Sequence, residues 1–87
     1  MSYHIVLSPA AQKVLERLPS EVQIRISTKI ESLSNNPRLP GAKALQGAKG
    51  ELRIRVGDHR IIYQVEDEKL LVRVVKIGHR SDIYRKR

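Results

Sequence analysis

From Glu51 to Val56 apolar and charged residues alternate without a break, Leu52, Ile54 and Val56 against Glu51, Arg53 and Arg55. A period of two sends the two sets to opposite faces of a strand. Gly57-Asp58 follows, with glycine at the first central position of a two-residue loop, which predicts a type II′ hairpin. His59 to Val65 is the return strand, Glu66 to Lys69 a polar turn, and Leu70 to Ile77 a third strand that Gly78 breaks. Earlier in the chain the period is helical. Ala11, Val14, Leu15 and Leu18 keep the spacing of one buried helix face, behind Ser8 as N-cap and Pro9 in the first turn. Pro19 stops that helix. Ser20 with Gln23 fits a capping box, and Val22, Ile26, Ile30 and Leu33 form the apolar stripe of a second helix that ends at Asn35-Asn36-Pro37. With almost nothing between them, the two helices fold back as an antiparallel hairpin. Ile24 lies off the stripe; it packs between the helices or stands exposed for a partner, and the first reading is preferred.

Tyr3 to Leu7 is β-prone, and residues 37–50, with Pro37, Pro40, Gly41, Gly47 and Gly50, read as a long connection from helix to sheet. The order is β-α-α-β-β-β. This predicts an α+β fold of two layers, the N-terminal helical hairpin packed on a mostly antiparallel four-stranded sheet. The chain has 87 residues, so a single domain over 1–87 is expected.

The hairpin register carries the functional argument. A loop at 57 and 58 sets Val56 opposite His59, Arg55 opposite Arg60 and Arg53 opposite Ile62. Opposite residues share a face, so Leu52, Ile54, Val56, Ile61, Tyr63 and Val65 face the helices while Arg53, Arg55 and Arg60 gather on the open side. If the next turn centres on Asp67-Glu68, Val65 opposes Leu70, Arg73 comes beside Ile62 and Lys76 opposes His59. Arg80, past the strand end, curls over the same edge. Like charges across a ladder destabilise it, and such conflicts concentrate at functional sites. Guanidinium clusters match phosphate geometry.

Charge strengthens that reading. Seventeen Lys and Arg against nine Asp and Glu leave +8, which favours a polyanionic partner. There is no Phe or Trp and only Tyr3, Tyr63 and Tyr84, so a base-stacking platform is not expected and phosphate is the handle. Lys43, Lys49, Arg73, Lys76, Arg85, Lys86 and Arg87 are further candidate contacts to such a partner. The chain has no cysteine, so disulfides and thiolate metal sites are excluded, in keeping with a cytoplasmic protein. His4, His59 and His79 are scattered and share no ligand spacing with carboxylates, so neither a metal nor any other cofactor is expected. No apolar run reaches the ~20 residues of a membrane span.

The stretch Leu52-Arg53-Ile54-Arg55-Val56-Gly57-Asp58-His59-Arg60-Ile61-Ile62-Tyr63, with Val74-Val75-Lys76-Ile77-Gly78-His79-Arg80-Ser81-Asp82-Ile83-Tyr84, resembles the RelE/ParE toxin superfamily, closest to its RelE branch. The opening strand with Ser8-Pro9-Ala10-Ala11, the Asn36-Pro37 pair and Leu45-Gln46-Gly47 fit as well. The resemblance implies a toxin of a type II toxin–antitoxin system that cuts mRNA in the ribosomal A site without metal. The RNA 2′-hydroxyl attacks the adjacent phosphate and leaves a 2′,3′-cyclic phosphate. It implies that Arg60 stabilises the pentacoordinate phosphate, that Arg80 assists the leaving 5′-oxygen and that Tyr84 stacks on the nucleotide. Arg53 and Arg55 fall where that branch carries lysines. Arginine effectively keeps its proton, so they stabilise charge and are poor bases. His79 is the natural candidate for general base, since imidazole titrates near neutrality, and His59 reads as structural.

The implied partners are a cognate acidic, RelB-like antitoxin, the ribosome and its mRNA, and operator DNA only through the antitoxin. The competing reading is a ParE-like toxin that inhibits DNA gyrase without cutting RNA. In that branch the basic active-site residues are generally absent, whereas here all are in place. A basic nucleic-acid-binding module without catalysis is a third reading.

Overall fold

The computed structural model describes residues 2–44 and 50–79. Along them run β1 (His4–Leu7), α1 (Pro9–Arg17), α2 (Ser20–Asn35), β2 (Lys43–Ala44), β3 (Glu51–Val56), β4 (His59–Glu66), a 3₁₀ turn (Asp67–Lys69) and β5 (Leu71–His79). The two-layer α+β architecture is the expected one. The sheet order is β1-β5-β4-β3-β2, with β1 parallel to β5 and the other pairs antiparallel. It has five strands where the pattern predicts four. The addition is β2, a dipeptide inside the expected connection, which pairs Lys43 with Arg53 and Ala44 with Leu52. Gly41 makes it possible: its φ of +94° reverses the chain, and Ala42 N–H closes the turn on Leu39 O at 3.0 Å.

The helix starts differ in their chemistry. Ser8 caps α1 as expected, its Oγ accepting from Ala11 N–H at 3.1 Å, with Pro9 in the first turn. The capping box expected at Ser20 and Gln23 does not form. Pro19 is the N-cap residue of α2 and offers no side-chain oxygen, and Gln23 Nε2 donates instead to Leu15 O at 2.9 Å, tying the two helices together. Ile24 is 64% exposed, so it is not packed between the helices.

Ala11, Ile26, Ile30 and Leu33 from the helices meet Ile54, Ile61, Tyr63, Val72, Val74 and Ile77 from the sheet in the core. The β3–β4 register is as predicted, Val56 with His59 and Arg55 with Arg60. Gly57 has φ +60° and Asp58 is not left-handed, as a type II′ turn requires.

The β4–β5 register is not the predicted one. The 3₁₀ turn, with Leu70 left-handed at φ 49°, takes up more chain than a tight turn, so Val65 faces Val72 instead of Leu70. A bulge follows: Tyr63 pairs with Val74 but Ile62 with Lys76, which leaves Val75 without a place in the ladder. The extra residue inverts the alternation beyond it. Ile77 turns into the core at 2% exposure, Lys76 turns out beside Ile62, and His59 faces His79 instead of Lys76. Nor does Gly78 break the strand; it lies within β5, opposite Arg60.

Candidate nucleic-acid interface

The open face of the sheet is built by the β3 alternation. Arg53 and Arg55 leave β3 on the side away from the helices, Arg60 leaves β4 on the same side, and β2 adds Lys43 opposite Arg53. Gly41, Lys43, Arg53, Arg55 and Arg60 line one shallow cavity of about 110 Å³. No carboxylate is among these lining residues. Opposite Arg60 on its other side stands Gly78, with no side chain to fill the space. Arg55 is oriented by its own turn, its Nε donating to Gly57 O at 3.0 Å. Arg60 is half-buried; its Nη1 is shielded from solvent and lacks a hydrogen-bond acceptor, while the side chain as a whole is otherwise engaged. A patch of fixed cations around a small opening is suited to an oxyanion, above all one whose charge grows during reaction.

The other expected site residues fall into three groups. Lys76 is on the open face beside Ile62, exposed and further along the sheet. Arg73 faces Gln64 instead of Ile62, and its Nη2 pairs with Glu66 Oε2 at 3.0 Å, so its charge is already answered. That contact and nearby Lys69 hold the Glu66 carboxyl below the usual range. His79 is not brought to the arginines. The bulge turns it to the helix side, where it meets His59 edge to face with ring centroids 5.5 Å apart. Lys49, Arg80, Tyr84, Arg85, Lys86 and Arg87, and the Leu45-Gln46-Gly47 motif, lie outside the described residues.

Two features were not foreseen. Lys43 was an expected contact, but the β2 strand that brings it to the cavity was not, since a two-residue strand has too little alternation to be read from sequence. The far end of the sheet is locked by an exposed ion pair, Arg38 with Asp67 at 2.9 Å, to which Tyr3 adds a hydroxyl donation to Asp67 Oδ1 at 2.7 Å. Arg38 and Tyr3 together hold the Asp67 carboxyl below its ordinary range, and the same contact raises the Tyr3 phenol. Among the described residues no group of three or more His, Cys, Asp or Glu is placed to hold a metal ion. No described helix is long and apolar enough to cross a membrane.

Comparison with known proteins bears on the whole chain. Residues 5–84 match the family model of the ParE toxin of type II toxin–antitoxin systems. A RelE-like toxin protein of Escherichia coli is 34% identical, the match covering 97% of this chain and 92% of that protein. The mRNA interferase toxin RelE of Escherichia coli K12 is 31% identical over the same shares. In the crystal structure of the intact Escherichia coli RelBE toxin–antitoxin complex, one chain superposes with a TM-score of 0.80 at 28% identity, covering 90% of this chain and 96% of that one. The chain belongs to the RelE/ParE toxin superfamily of type II toxin–antitoxin systems, in its RelE-like branch.

Proposed function

We propose that this protein is an mRNA endoribonuclease that acts on the translating ribosome, and that a co-encoded antitoxin restrains it. One observation carries the reading: Lys43, Arg53, Arg55 and Arg60 converge on one cavity with no acid among its lining residues. A scissile phosphodiester seated there gains negative charge as the 2′-oxygen attacks phosphorus, its proton passing to water, and the bond to the 5′-oxygen opens, that oxygen taking a proton from water. Cations already fixed around it stabilise that charge without reorganising. Arg60, half-buried between Arg55 and Gly78, is the residue assigned to the equatorial oxygens. Arg53, Arg55 and Lys43 hold the strand in register. Arg80 is assigned to the leaving 5′-oxygen and Tyr84 to stacking on the nucleotide. Among the described residues no histidine or carboxylate lines the cavity, so these cations act by charge and not by proton transfer. His79, on the other side of the sheet, is not given the role of base. The reaction needs no metal in this scheme, because four cationic side chains supply what a metal would.

The similarity to an mRNA interferase and to the toxin of a RelBE complex supports both the reaction and the antitoxin partner. The matching family model is that of the ParE toxin, so gyrase inhibition is the reading to test against. Induced expression in a bacterium, with primer extension on a translated mRNA and an untranslatable copy, separates them. Cuts confined to the translated copy are expected, reduced roughly 100-fold or more by Arg60→Ala. Growth arrest with intact mRNA and a DNA-damage response would sink the nuclease reading.

A further inference from the structure

On the helix side of the same hairpin lies a second polar cavity, of about 220 Å³, lined by Val22, Arg25, Val56, Gly57, Asp58, His59 and His79. Three elements build it. α2 lends Arg25, whose Nη2 stands 4.0 Å from where a Cβ on Gly57 would be, so the guanidinium overhangs the turn. The hairpin turn lends Asp58. The β4–β5 ladder lends His59 and His79, set edge to face by the bulge that turns His79 to this side. Arg25 and Asp58 share the cavity without forming an ion pair. The guanidinium is therefore not spent on the carboxylate.

The chemistry of this group favours an anion over a metal ion. His59, His79 and Asp58 are not placed together to hold a metal ion, and Arg25 beside them repels one. Toward an oxyanion the two imidazoles act together with Arg25, imidazole N–H groups and a guanidinium being donors of the right kind.

Its position names the anion. His59 is next to Arg60 in sequence, and Gly57, against which Arg25 lies, accepts the hydrogen bond from Arg55. The two cavities share one hairpin tip, one on each face. A strand seated at Arg55 and Arg60 that continues over this tip brings its neighbouring phosphate against Arg25. We propose that Arg25, His59 and His79 form a second phosphodiester subsite, which grips RNA beside the scissile position. This rests on the RNA-cleaving reading of the arginine face.

The test is equilibrium binding of a 2′-O-methylated RNA oligonucleotide, which cannot react, to the full chain by fluorescence anisotropy across salt concentrations. Melting temperatures confirm that each variant folds. Arg25→Ala should weaken binding several-fold and flatten the salt slope by about 0.7, the share of one phosphate on a single strand. His59→Gln/His79→Gln should weaken binding several-fold. The same variants are then assayed against ribosomes carrying a 2′-O-methylated message. A loss seen with free oligonucleotide assigns the phosphate to the message, and a loss seen only with ribosomes assigns it to ribosomal RNA. If neither variant changes affinity or salt slope while Arg55→Ala/Arg60→Ala weakens binding, the subsite is wrong and the cleavage reading stands. If only the Arg25 and histidine variants weaken binding, the subsite stands and the arginine face has been misread. Absence of binding to either RNA by the unaltered chain overturns the subsite.

Discussion

Arg55 and Arg60 face each other across the antiparallel ladder, with Arg53 and Lys43 one pair further along the same face. Like charges in opposite positions cost roughly 0.2–1 kcal/mol. Nothing in the core needs either guanidinium, since Arg55 is exposed and the apolar side of β3 is completed by Leu52, Ile54 and Val56. Arg55→Ala should therefore raise the melting temperature slightly while lowering RNA cleavage and RNA affinity. Thermal denaturation beside the cleavage assay checks both. A fall in stability together with activity would mean that Arg55 is there for the fold. This arrangement was legible in the sequence because a two-residue Gly57-Asp58 turn leaves only one register for the strands it joins. His79 was not legible in the same way. Its face depends on the Val75 bulge, and nothing in the stretch Leu70 to Val75 marks where an extra residue leaves the ladder.

At the level of elements, the bulge and the first helix share one residue. Ser8 Oγ accepts from Ala11 N–H as the cap of α1 and donates to Val75 O at 2.8 Å, while Ser8 N–H bonds Val74 O at 2.9 Å. The cap was readable from Ser8-Pro9, but its second bond, to a bulge 67 residues away, was not. Ser8→Ala removes the cap and leaves the Val75 carbonyl short of a donor. A cost of about 1–2 kcal/mol is expected, with faster amide exchange at the Val75 bulge than elsewhere in β5. A loss confined to α1 would show that the bulge stands without Ser8. The 3₁₀ turn is held in a different way, by the exposed contacts of Asp67 with Arg38 and Tyr3 and of Glu66 with Arg73 and Lys69. Both carboxyls lie below their ordinary range in the folded chain, Asp67 chiefly through Arg38 and Glu66 chiefly through Arg73. A carboxylate with a depressed folded value adds stability above its unfolded titration range, and that stability is lost as pH falls through the folded range. Tyr3 is shifted up by its bond to Asp67, so its contribution holds below the phenol range and is lost in alkali. Melting temperature should thus fall on both flanks of a neutral plateau, and Asp67→Asn should flatten both. An unchanged acid flank in that variant would show that Asp67 contributes nothing to it.

Over the whole molecule the charges separate by place. The chain carries +8, but Glu66 and Asp67 at the 3₁₀ turn are matched by Lys69, Arg73 and Arg38, and Glu51 accepts a bond from Gln64 at 3.2 Å. At the opposite end of the open face, Lys43, Arg53, Arg55 and Arg60 line their cavity, and no acid is among its described lining residues. Composition revealed the excess of positive charge; only the strand order and the β2 pairing place it on this part of the sheet. The two ends should therefore respond differently to salt. Each phosphate neutralised on a single strand contributes about −0.7 to the slope of log affinity against log salt. Arg53→Ala/Arg55→Ala should lower both the affinity for RNA and that slope by about one phosphate's share. Lys13→Ala/Arg17→Ala, which removes the same charge from the exposed side of α1, should lower affinity slightly and leave the slope alone. Equal effects from the two pairs would mean that RNA responds to net charge and not to this face. A slope near zero for the unaltered chain would point to a partner held by apolar contact, for which the exposed Ile24 on the helix layer is the place to look.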